Sequence, residues 1–89
     1  MDADTWLEEL AARLPAPTDA PTGADSLTLS AREREALLDL AKVAAHTSQR
    51  WTAPLSTFLA GVAYARVPAE ERAMALRALV ADLEHLAGS

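Results

Sequence analysis

A chain of 89 residues makes one small domain, and without cysteine it holds neither a disulfide nor a thiolate metal site, so packing alone must support the fold. Hydrophobic residues are 51% of the sequence but aromatics only 4%, an Ala- and Leu-rich composition that favours helices. The net charge of −5 is distributed as −5 over residues 1–29, +2 over 30–67 and −2 over 68–89, and this acidic balance argues against a nucleic-acid partner.

No apolar run approaches the ~20 residues of a membrane span. The opening MDADTWLEE carries acids where a secretory leader would carry Lys or Arg, so a cytoplasmic protein is expected. Thr5 and Glu8 have capping-box spacing, and Trp6, Leu7, Leu10 and Leu14 recur at helical intervals, which predicts a first helix over residues 5–14. Pro15 stops it. The stretch that follows is rich in proline and small polar residues, so residues 15–28 read as a loop.

Ser30 and Glu33 form a second capping box, and the helix they open is expected over 31–48. Leu37, Leu40, Ala41 and Ala44 make its apolar stripe, widened by Leu38 and Ala45. On the wetter side, Asp39 stands three residues before Lys42 and is placed to pair with it. The polar run His46 to Arg50 ends this pattern. Thr52 is then expected to cap a third helix over 53–66, with Pro54 in its first turn.

In that helix Leu55, Phe58, Leu59 and Val62 form the expected core face, with Phe58 near the centre of the molecule. Gly61 in mid-helix costs about 1 kcal/mol relative to alanine, a penalty that a close helix contact usually offsets. Pro68 fits the first turn of a fourth helix over 68–87, in which Leu76, Leu79, Val80, Leu83 and Leu86 form a seam. The expected architecture is an all-α single domain, a small four-helix bundle.

No P-loop, dinucleotide fingerprint, HExxH pair, EF-hand loop or GxSxG elbow is present, so no catalytic residue, cofactor or metal site is expected. His85 sits in the last turn of its helix, where the dipole favours it without chemistry. The corner between the second and third helices has two readings. In one, His46 and Arg50 cover the last carbonyls of the second helix, Thr52 caps the third, and Ser56 or Thr57 bonds back to a carbonyl. In the other, His46, Arg50, Thr52, Ser56 and Thr57 hold a phosphate or other oxyanion at a helix N-terminus. Polar helix ends are common and anion sites are not, which favours the first. Trp51 is either a lid over the core, the better-weighted reading, or an exposed anchor for a partner.

The residues of this corner, Asp39, Leu40, Ala41, Ala45, His46 and Arg50 followed by Ala53–Leu59 and Gly61, together with Trp6 and Leu7, resemble a known family. It is a small all-helical bacterial domain of unknown function, found alone or appended to molybdenum-cofactor guanylyltransferase. Trp51 stands where that family commonly has proline. The resemblance implies a non-catalytic accessory module with a protein partner or a second copy of itself, linked to molybdenum-cofactor metabolism. The alternative is a binder of a phosphorylated small molecule or oxyanion at the corner. A helix-turn-helix reading fails on charge, because the third helix carries no Lys or Arg before Arg66.

Overall fold

The computed structural model describes residues 1–15 and 27–88. Four helices follow in order, α1 (Ala3–Arg13), α2 (Ala31–Thr47), α3 (Thr52–Ala63) and α4 (Ala69–Ala87), with no strand among the described residues. The fold is all-α, as the composition and periodicity predict. Of the loop expected over 15–28, residues 16–26 lie outside the described residues.

Helix starts follow local capping chemistry, though not always at the expected residue. The N-cap of α1 is Asp2 rather than Thr5: its carboxylate accepts from the Thr5 N–H at 2.8 Å, which places Thr5 inside the first turn. Asp caps as well as Thr, and capping earlier adds helical residues. The same hydrogen bond holds the Asp2 carboxyl below its ordinary pKa of 3.8. At α2 the Ser30/Glu33 box forms in both directions, with Glu33 N–H to Ser30 Oγ at 3.1 Å and Ser30 N–H to Glu33 Oε1 at 3.4 Å. Pro68 is the N-cap of α4 rather than a first-turn residue. Its ψ of 145° turns the chain, and its carbonyl accepts from the N–H groups of Glu71 and Arg72.

Helix α2 is the central element, with α3 and α4 packed against it. The core between them is Ala36 and Leu40 from α2, Ala60 from α3, and Leu76 and Val80 from α4, flanked by half-buried Leu37, Val43, Tyr64, Leu79 and Leu83. The two core alanines let the helix axes approach, and each large core side chain contributes about 1.5 to 3 kcal/mol by leaving water. No residue of α1 is fully buried; Leu7 and Ala11 are its half-buried contacts. An ion pair between Asp4 and Arg34, 3.0 Å, ties it to α2.

Two further ion pairs fix α4 against α2. Arg72 Nε donates to Glu33 Oε2 at 2.7 Å and Arg72 Nη2 to Glu33 Oε1 at 3.2 Å, while Arg77 Nη1 donates to Asp39 Oδ2 at 2.8 Å. Partner positions advance together along both helices, so α2 and α4 run in the same direction. Asp39 therefore has its close partner across the helix interface, in addition to any weak pairing with Lys42 on its own helix. That hydrogen bond raises the Arg77 pKa above its ordinary value.

The expected core face of α3 is the main correction. Leu55, Phe58, Leu59 and Val62 are all exposed, and only Ala60 of this helix is buried. A helix with no charged side chain offers no contrast between wet and dry faces, and here the smallest apolar residue took the inner position because it allows close packing on α2. The expected close contact at Gly61 is also missing: among the described residues, no neighbouring helix or side chain comes within 4 Å of the place a Cβ would take. Gly61→Ala is therefore expected to stabilise the fold by about 0.5 to 1 kcal/mol, read as a higher urea midpoint at unchanged slope. A loss of stability would show a contact at this position.

Candidate functional site

At the corner, α2 ends at Thr47 and the Ser48 N–H returns to the Ala44 carbonyl at 3.0 Å. Thr52 is not the cap of α3. That position is Trp51, and the Thr52 hydroxyl instead donates to the Gln49 carbonyl at 2.7 Å and the Ala44 carbonyl at 3.2 Å, fastening the start of α3 to the end of α2. Each of these carbonyls already accepts one backbone N–H and has a second lone pair that the hydroxyl reaches. Thr57 bonds back to the carbonyls of Pro54, 3.0 Å, and Ala53, 3.4 Å, as the capping reading expects.

These bonds bear on the anion reading. The hydroxyls of Thr52 and Thr57 point their protons at carbonyls, the N–H groups of Thr52 and Ala53 close turns onto Gln49 and Arg50, and Pro54 has no N–H to offer. His46 and Arg50 are exposed, and Ser56 is half-buried at the edge of a groove. Among the described residues no group of His, Asp or Glu side chains could hold a metal ion.

The most distinctive surface lies on α3 itself. Trp51, Leu55, Phe58, Leu59 and Val62 are 52 to 69% exposed. Trp51 keeps helical backbone angles, φ −70° and ψ −11°, so its side chain continues the phase of the helix. Positions 51, 55, 58 and 62 are spaced by four, three and four residues, the a/d spacing of a seam that packs on another helix. Trp51 is therefore part of this outer stripe and not a lid on the core. From Trp51 to Ala65 the chain carries no ionisable residue except Tyr64.

Beside the stripe runs a groove of about 500 Å³ between α3 and α4, floored by Leu40, Val43 and Ala44 of α2 and walled by Leu59, Leu79, Leu83 and Leu86. Leu86, expected in the α4 seam, is exposed at its mouth. A second cleft, about 550 Å³, lies between α1 and the core, with Arg34, Arg72 and Glu33 among apolar neighbours. Arg34 Nε is buried there without a hydrogen-bond partner among the described residues.

The ion pair of Glu33 and Arg72 was outside the expected site, and of the outward-facing stripe the expected site held Trp51 alone. No local signal joins residues 39 positions apart. The stripe did leave a signal, an uncharged helix whose large apolar residues keep heptad spacing, but a core face has the same pattern. Among the described residues no helix is long and apolar enough to cross a membrane. No curated protein and no solved structure is significantly similar to the chain. The model of a domain of unknown function, DUF6457, matches residues 1–89, and the chain belongs to that family.

Proposed function

We propose that this domain is a non-catalytic interaction module that docks a protein partner on the outer face of α3. The observation that carries this reading is the exposure of Trp51, Leu55, Phe58, Leu59 and Val62 as one continuous stripe on an uncharged stretch. Contiguous apolar patches of this kind mark docking surfaces, whereas apolar residues scattered singly do not. The aromatic anchors Trp51 and Phe58 belong to the residue types that dominate binding energy at interfaces. An accessory role in molybdenum-cofactor metabolism is the setting supported by the resemblance of Asp39–Arg50 and Ala53–Gly61 to domains appended to the guanylyltransferase of that cofactor.

The test is a photo-crosslinking residue, p-benzoylphenylalanine, placed at position 58 and, as a control, at position 38, an exposed leucine of α2 off the stripe. Irradiation in the expressing cell is expected to give discrete protein adducts from position 58 and none from position 38. Equal labelling from both positions, or none from either, would remove this reading.

A further inference from the structure

Resting on the docking role of α3, we infer that the occupant of this face is a second copy of the chain, paired through α3 against α3 in an isologous dimer. Three observations favour a copy of self. The first is shape. Ridge and groove lie side by side on one helix, Phe58 standing 69% exposed while Leu59, its neighbour in sequence, walls the groove of about 500 Å³. A two-fold axis beside α3 sets each ridge against the partner's groove, so both are filled and the assembly closes at two.

The second is charge. Each copy carries a net charge of −5, which repels another copy over most approaches, but the segment from Trp51 to Ala65 contributes nothing to that charge. Two chains that meet there bring no like charges of that segment into contact. The third is area. The exposed parts of Trp51, Leu55, Phe58, Leu59, Val62 and Leu86 amount to roughly 600 Å² per copy, so pairing them removes about 1,200 Å² from water, the lower bound of standard specific interfaces. The heptad spacing of the stripe further asks for a helix, and the α3 of a second copy has the same spacing.

The experiment is sedimentation equilibrium of the full chain over about a hundredfold range of concentration, beside Phe58→Glu, Val62→Lys and the control Leu38→Glu, with far-UV circular dichroism on each. The expected result is a concentration-dependent mass rising to twice the 9.5 kDa of one chain. It should be lost in Phe58→Glu and Val62→Lys at unchanged helix content and retained in Leu38→Glu. Raising salt from ~0.05 to ~0.5 M should leave the dimer intact or tighten it, since screening relieves repulsion between two acidic chains. Dissociation by salt, or a dimer that survives both stripe substitutions, overturns the inference. So does a monomer at every concentration. In that case discrete adducts from position 58 at masses other than twice the chain leave the docking role standing with a different partner, and no adducts remove both.

Discussion

Arg72→Ala is expected to cost about 3 to 5 kcal/mol, a large share of the ~4 to 13 kcal/mol that a chain of this length has in total. The cost arises at Glu33 rather than at Arg72. The Glu33 side chain is 2% exposed and Arg72 covers it from α4 with two hydrogen bonds, its own side chain 12% exposed. Without the guanidinium the carboxylate keeps, among the described residues, only the weak Ser30 N–H contact and stays in a low-dielectric position. Urea unfolding at neutral pH checks this, and a loss below ~1 kcal/mol would mean that water reaches Glu33 freely.

The double variant Glu33→Leu with Arg72→Met carries the other half of that prediction. Removing both charges eliminates the need to desolvate them, and buried pairs replaced by apolar side chains of similar size are often neutral or more stable. The double variant is expected to recover most of what Arg72→Ala loses, less about 1 kcal/mol for the capping-box contact of Glu33. The pair contributes specificity. Arg72 in the first turns of α4 and Glu33 in the first turn of α2 bring the two helix starts to one end, and Asp39 with Arg77 repeats the register further along.

The helices themselves were legible in the sequence because their signals are local. Ser30 with Glu33 sets the start of α2, Pro15 follows the end of α1, and Gly88 is the C-cap of α4, each by interactions within a few residues. Packing was legible only where a helix had charged residues on one side. On α2, Glu35 and Lys42 mark the wet face, and of the expected stripe Leu40 is buried and Leu37, Ala41 and Ala44 are half-buried, whereas Leu38, expected to widen it, is exposed and Ala36, outside it, is buried. On α3 nothing marks a wet face, so the bulky residues read as core although Ala60 is the buried one. The corner gave the same lesson at smaller scale. Thr52 is the right residue type for a cap, but the carbonyls of Ala44 and Gln49, each already accepting one backbone N–H, lie within reach of its hydroxyl and take it as a second donor.

Leu40 and Leu38, two positions apart on α2, separate burial from composition. Leu40 is 2% exposed at the junction of α2, α3 and α4, whereas Leu38 is 65% exposed on the far side of the same helix. Leu40→Ala is expected to cost about 2 to 5 kcal/mol, because the methyl groups lost leave a cavity bounded by three helices that cannot all collapse into it. The core has few side chains with which to compensate. Ala36 and Ala60 have no rotamers to move, and Val80 is stiff at χ1, so a value in the upper half of that range is expected. Leu38→Ala should stay within about 0.5 kcal/mol, since it exchanges one good helix former for another in water. Chemical denaturation of both variants at one concentration, chosen low so that self-association does not contribute, gives the two differences directly. Equal losses would mean that Leu38 is packed within the single chain and that the outward side of α2 is not the exposed face described.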